Sequence, residues 1–433
     1  MRRTYRTLND CEMRHNAEVG LFTRPSILDC HRGLKCVIMK KVIKNIAQMM
    51  HHSDPRECFA IEFWDGDSIS FGSFPQVILR LKTKSCAKKI IRKGFLGFGE
   101  AYMEGDLEIE KDFLKLFRLG FAINFDEYCL SFWQKVQPFI LSLLNSSTLR
   151  RAPKNISFHY DRGDELYELY LDKTMTYSCA YFSKPGDSLE QAQLNKYEHI
   201  SRKLLLEPNE LLLDIGCGWG GMLIYAAQKY GITGVGVTLS KNQFEYANRK
   251  IEELGLQNQI KILYQDYRQL NDKFDKIVSI GMMEHVGKKF IPTFIQKVSD
   301  LLKTGGLALL HTIGKDTPSA GDPWTFHYIF PGAYIPTLHE IVQEMGKTGF
   351  SILDVENLRL HYAKTLEKWA ENFEENIEKI RKLFDETFVR QWRLFLNSTA
   401  AGFKYGNSRL FQILVSKGLD NTLPVTRAHV YQE

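Results

Sequence analysis

Apolar positions change their rhythm about a third of the way along this 433-residue chain. KCVIMKKVIKNIAQMM, from Lys35 to Met50, repeats apolar residues at helical spacing and predicts an amphipathic helix. FAIEFWDGDSISFG alternates on both sides of Asp65-Gly66, which predicts two strands joined by a tight turn. PQVILRLKTK predicts a further strand, and SCAKKIIRKG a helix closed by Gly94. The next stretch, GFLGFGEAYMEGDLEIEKDFLKLFRLGF, predicts a glycine-punctuated loop and then a helix. Residues 126–145 carry an apolar stripe that includes Phe132, Trp133, Phe139 and Leu143. It suits packing between domains or lying at a bilayer surface.

From His159 the pattern becomes strand, helix, strand, helix. LLLDIG, GVGVTLS, IKILYQD, DKIVSIG, GLALLHTIG, FSILDVENL and LFQILVSKG are the predicted strands. This alternation predicts a doubly wound α/β fold around a mostly parallel seven-stranded sheet, with a smaller α+β domain before it. The boundaries expected are a loosely ordered extension over 1–36, a small domain over 37–125, a helix and linker over 126–158, and a catalytic domain over 159–433.

The formal charge of +6 is too mild to imply nucleic acid. It is unevenly spread: Arg80, Lys82, Lys84, Lys88, Lys89, Arg92 and Lys93 crowd together, and beside an anionic leaflet each could add about 1 kcal/mol of attraction. No run reaches the roughly 18–20 apolar residues that cross a bilayer. The basic N-terminus has no apolar core of a secretory signal. The eight cysteines show no C-x-x-C spacing, so reduced thiols, no metal site and a cytoplasmic protein are expected. Aromatics at 12% suit the lining of an apolar pocket.

The sharpest local signal is LLLDIGCGWGG, Leu211 to Gly221, which reads as strand, glycine turn and helix. Gly216, Gly218 and Gly221 satisfy G-x-G-x-x-G. A dinucleotide site would place an acid at the tip of the second strand, but Thr238-Leu239-Ser240 stands there. Asp214 just before the glycines, and Gln265-Asp266-Tyr267 after the third strand, favour S-adenosylmethionine over a nicotinamide cofactor.

Six ordered stretches then carry a resemblance. They are FHYDRGDELYELYLDKTMTYSCAYF, LLLDIGCGWGG, GVGVTLSKNQ, LYQDYRQLNDKFDKIVSIGMMEHVG, LLHTIG and FPGAYIPTLHEI, with GFGEAYMEGDL extending it into the small domain. Together they resemble the cyclopropane-fatty-acid synthases and mycolic acid cyclopropane synthases, S-adenosylmethionine-dependent enzymes with a Rossmann-like class I methyltransferase fold. The resemblance implies that Tyr177, Ser178, Asp214, Gly216, Cys217, Gly218, Gly220, Thr238, Gln243, Tyr267 and Arg268 hold the cofactor. It also implies a bicarbonate ion, the proton acceptor, held by Cys179, Glu284, His311, the Ile313 backbone and Tyr362. His285 is expected to be structural. Where many relatives carry a cysteine in LNSTAAGF, Thr399 stands here, so no covalent step is assigned to it.

The activity implied is methylene transfer to the cis double bond of unsaturated phospholipid acyl chains, by an enzyme peripherally bound to an anionic membrane surface. A C-methyltransferase giving a branched or methylene product is the alternative inside the family. A lipid-binding module on a decayed fold and an NAD-linked oxidoreductase are the alternatives outside it. Head group, double-bond position and the existence of a homodimer are left open.

Overall fold

The computed structural model describes residues 36–123, 163–319, 321–419 and 421–431. The expected extension, the stripe of 126–145 and the linker lie outside the described residues.

The first helix, Cys36–Ser53, turns Ile43, Ala47 and Met50 toward the core. β1 (Phe59–Glu62) and β2 (Ser68–Phe71) form the expected hairpin, with Gly66 at φ 86° in its turn. β3 (Val77–Leu81) lies parallel to β1 on its other side, and β4 (Leu107–Lys111) completes a sheet of order β2-β1-β3-β4.

Between β3 and β4 the structure departs from the expected loop. The helix Lys84–Lys93 ends at Gly94, and a second helix, Phe95–Met103, begins at once. Gly97 and Gly99 are there for close approach. A Cβ on Gly97 would lie 2.2 Å from the Lys89 carbonyl oxygen, and one on Gly99 2.3 Å from the Trp324 ring. The period-two run LEIEK is β4, and the expected helix follows as Phe113–Ala122.

The larger sheet has the order β10-β11-β9-β8-β5-β6-β7. Its strands are β5 (Leu211–Ile215), β6 (Thr233–Thr238), β7 (Ile260–Tyr264), β8 (Phe274–Ile280), β9 (Leu302–Lys315), β10 (Phe350–Asn357) and β11 (Ser408–Lys417). All seven predicted strands are present. Only β11 runs against its neighbours. Chain order reverses between β5 and β8, so a crevice opens at the carboxyl ends of these strands, where ligands lie in such sheets.

The small sheet does not close its own core. One apolar cluster runs from Ile43 and Phe59 through Tyr102 and Trp324 to Trp392 and Leu410. The helix Glu386–Lys404, late in the chain, packs onto the small domain and anchors it through Arg390. That guanidinium donates to the carbonyl oxygens of Tyr102 and Leu107 (2.6 Å to the latter) and pairs with Glu108 at 3.1 Å. Replacing Arg390 by Met leaves these buried acceptors bare, an expected loss of about 3 kcal/mol. A lower urea midpoint, with the unfolding slope unchanged, is the measurement.

Candidate active site

The glycine turn after β5 needs backbone that other residues adopt only under strain: φ is 84° at Gly216, 56° at Gly218 and 88° at Gly220. The N–H groups of Gly216 and Cys217 both donate to the Val237 carbonyl, at 3.0 and 3.1 Å, tying the turn to β6. Gly221 opens the helix Gly221–Tyr230, and a Cβ there would meet the Tyr197 hydroxyl at 2.3 Å. At Gly218 a Cβ would point into open space.

That space is an open cleft of about 1100 Å³. Tyr177, Ser178, Asp214, Gly216, Cys217, Gly218, Thr238, Gln243, Tyr267 and Arg268 line it. Gly220 does not; it caps the helix and lets Ala247 approach. The Cys217 thiol packs inward, where a Cβ on Gly236 would touch it at 2.8 Å. The Thr238 hydroxyl donates to Gln243 Oε1 at 2.8 Å at the tip of β6. Beyond β7, the Arg268 guanidinium makes two hydrogen bonds to Asp266, at 2.8 and 2.6 Å, and lies 5.6 Å from the Tyr267 ring centre. His285, read from sequence as structural, also lines the cleft, and burial pulls its pKa down to about 4.

These features fit a cofactor with an adenosine and a small charged arm. Asp214 is buried, one of its carboxylate oxygens has no hydrogen-bond partner, and burial raises its pKa to about 7. The polar Thr238–Gln243 pair replaces the acid that a dinucleotide would require.

The five residues implied for proton removal line neither large cavity directly. They lie beside the cleft: Cys179 follows Ser178, and Glu284 sits between the cleft residues Met282 and His285. The Glu284 carboxylate accepts from the Ile313 N–H at 2.5 Å. Its other oxygen is buried without a partner, and burial lifts its pKa to about 7. His311, on β9, accepts at Nδ1 from the Gln412 amide at 3.2 Å, which assigns its proton to Nε2. That Nε2 is also buried and unpartnered, and burial holds the ring neutral. The Cys179 thiol donates to the Ala180 carbonyl at 3.2 Å and burial pushes its pKa up. Tyr362 packs against Phe403, with ring centres 4.5 Å apart. The Ile313 N–H is committed to Glu284 in this arrangement.

Several residues here escaped the sequence reading. Trp219 donates to Asp164 at 2.9 Å and packs against Tyr167, pinning the 163–182 segment over the glycine turn. Trp369 stacks on Tyr177 at 5.0 Å and meets Tyr362 edge-on at 6.1 Å, linking the cleft to the helix Arg359–Glu375. Their periodicity marks them only as core.

A second cavity, mostly apolar and of about 1700 Å³, lies between the two domains. Ile43, Met50, Leu79 and Leu107 face it from the small domain, and Phe326, Ile335 and Thr399 from the other. The basic cluster is largely neutralised. Arg80 pairs with Glu62 and Glu110, Lys82 with Glu108, Lys89 with Glu104 and Lys93 with Glu100. Among the described residues, Lys84, Lys88 and Arg92 have no such partner. No described helix is long and apolar enough to cross a membrane.

The sheet order, the glycine turn and the acid before it are those of a class I S-adenosylmethionine-dependent methyltransferase. Comparison with known proteins narrows this. The family model described as "Mycolic acid cyclopropane synthetase" matches residues 147–413, and a model described as a domain of unknown function matches 45–124. The cyclopropane-fatty-acyl-phospholipid synthase of Escherichia coli K12 is 39% identical over 82% of this chain and 92% of its own. The S-adenosylmethionine-dependent methyltransferase UmaA of Mycobacterium tuberculosis is 36% identical over 60% of this chain and 95% of its own. The crystal structure of mycolic acid cyclopropane synthase CmaA1 complexed with SAH and CTAB is 33% identical, covers 61% of this chain and 98% of that one, and has a TM-score of 0.58. The chain belongs to the mycolic acid cyclopropane synthetase family and is an S-adenosylmethionine-dependent enzyme.

Because burial raises the Glu284 pKa from 4.5 to about 7, the ionised carboxylate is the disfavoured form in the fold. Its stability penalty is absent below pH 4.5, grows between the two values and is complete above pH 7. Glu284→Gln removes it. The variant is expected to match the wild type near pH 4.5 and to exceed it by about 3 kcal/mol above pH 7, read from urea unfolding across that range.

Proposed function

We propose that this enzyme adds a methylene group to the cis double bond of an unsaturated acyl chain in a membrane phospholipid, closing a cyclopropane ring. One observation carries the reading. Buried, unpartnered acid–base atoms of Glu284 and His311 lie beside the cofactor cleft, and an apolar cavity of about 1700 Å³ is lined by Lys315, two residues beyond Ile313.

S-adenosylmethionine, when bound, supplies a methyl group already activated by a sulfonium. The glycine turn and the Thr238–Gln243 pair orient that end of the reaction, and alignment of the two carbons is the main demand. Attack by the alkene π electrons on that methyl carbon would form one carbon–carbon bond, break the carbon–sulfur bond to release S-adenosylhomocysteine, and leave a cation on the neighbouring acyl carbon. A carbon–hydrogen bond of the transferred group then breaks, its electrons close the ring, and the proton goes to a base. Apolar walls keep water from capturing the cation. A Glu284 carboxyl with its pKa near 7 can take and release that proton at working pH.

The residues also fit bicarbonate, which both donates and accepts hydrogen bonds. His311 Nε2–H and the unpartnered oxygen of Glu284 would hold it, with Cys179 and Tyr362 beside them. When bound it supplies a second proton acceptor. The Ile313 N–H would join only if Glu284 released it.

Lys84, Lys88 and Arg92, which have no acidic partner among the described residues, would give the small domain about 3 kcal/mol of attraction to an anionic leaflet, against about 7 for the whole cluster. This keeps the protein peripheral. The methyltransferase relative favours a second reading, in which the same cation loses its proton elsewhere and a methylene or branched chain results.

Vesicles of unsaturated phospholipid with labelled S-adenosylmethionine, with and without bicarbonate, test the proposal. Proton NMR of the product is expected to show the strongly upfield ring hydrogens of a cyclopropane. Olefinic or methyl-branch signals in their place would establish the second reading. Glu284→Gln is expected to lose at least 100-fold in turnover while keeping S-adenosylhomocysteine affinity. Full activity in that variant would remove Glu284 from the role.

A further inference from the structure

Behind the cofactor cleft lies a buried lysine that none of this chemistry uses. Lys196, on the helix Leu189–Leu204, is fully buried. Its ammonium donates to Ser178 Oγ at 3.0 Å and sits 4.3 Å from the centre of the Tyr197 ring. Asp172, Asp214, Cys179 and His311 are the titratable groups that act on it or feel it. Asp172 is itself occupied, accepting from the Thr174 and Thr176 N–H groups at 2.8 and 3.0 Å. Burial lowers the Lys196 pKa to about 7, so the ammonium is costly to keep, and an apolar side chain of similar shape would serve stability at least as well. Its presence calls for a task.

The direction of the hydrogen bond states the task. In its protonated form Lys196 has N–H donors and no acceptor, so Ser178 Oγ then accepts from it, and a carboxylate seated nearby would favour that form. The serine's own proton is then left to donate away from the lysine. Ser178 lines the cleft at its β5–β8 end, where a Cβ on Gly281 would come within 4.0 Å of the Ser178 Cβ. Asp266 and Arg268 stand at the opposite end, beyond β7.

We propose that Lys196 is a positioning residue for the cofactor: it fixes the Ser178 hydroxyl as a donor into the cleft, and its charge makes that end a seat for the carboxylate of the amino-acid arm of S-adenosylmethionine. The inference rests on the cleft being the cofactor site. Lys196 acts through Ser178.

Calorimetric titration of the full chain with two ligands tests it. S-adenosylhomocysteine carries the amino-acid arm, whereas 5′-methylthioadenosine keeps the adenosine and the thioether without the carboxylate. Lys196→Met is expected to weaken S-adenosylhomocysteine by about 10- to 100-fold, the range for a lost charge-assisted network. Methylthioadenosine binding should change less than about twofold, and Lys196→Met/Ser178→Ala should be no worse than Lys196→Met alone. Equal weakening of both ligands, additive losses, or unchanged S-adenosylhomocysteine affinity would each overturn the proposal. Should Lys196→Met fail to fold, Ser178→Ala carries the same comparison: a loss confined to S-adenosylhomocysteine supports the proposal, and no loss overturns it. A wild-type chain that binds neither ligand would sink the cleft reading itself, and the inference with it.

Discussion

Water is kept from the region beside the cofactor cleft, and that dryness sets the state of every ionisable group there. Burial raises Glu284 and Asp214 to about 7, holds His311 neutral and suppresses the Cys179 thiolate. One cause therefore moves acids and bases toward their uncharged forms. A carbocation formed beside them would meet few charges and little solvent. The same exclusion makes each unpartnered atom costly, so the free oxygen of Glu284 and the free Nε2 of His311 are places where the fold holds interaction capacity in reserve.

On the apolar side, the small domain leaves its own core unfinished. Ile43, Met50, Leu79 and Leu107 face a cavity that the larger, later part of the chain lines with Phe326, Ile335 and Thr399. Arg390 locks the two together by satisfying backbone carbonyls at the end of one small-domain helix and the start of β4. The domain's basic face is mostly spent on neighbouring glutamates, so its outward charge is smaller than composition alone implies.

Other class I methyltransferases need the glycine turn and the polar strand tips. Next to them in this chain stands an aromatic wall. Trp369 and Tyr177 connect that wall to the cofactor side through stacked rings, so the two halves of the site are one packed unit. Rigid packing of this kind transmits small displacements, and it suits a reaction that depends on alignment.

The seven strands of the large sheet were legible because each is an apolar run bounded by glycine or polar residues, and such runs encode their own burial. Several residues that line the cleft were legible for a related reason: the turn after β5 carries Asp214 and its glycines within one local stretch. Gly97 and Gly99 misled, since glycine marks both a turn and a close approach, and only Trp324 lying against the helix decides which. Lys196, Trp369 and Gln412 gave no local sign, because their partners lie on other elements and a buried lysine looks like any helical lysine until its neighbours are known. Local chain chemistry thus determined the strands, the turn and the cofactor class. Dehydration, and with it the protonation state of Glu284, His311 and Lys196, was decided only when distant segments packed, because burial is a property of the assembled fold and of no single stretch.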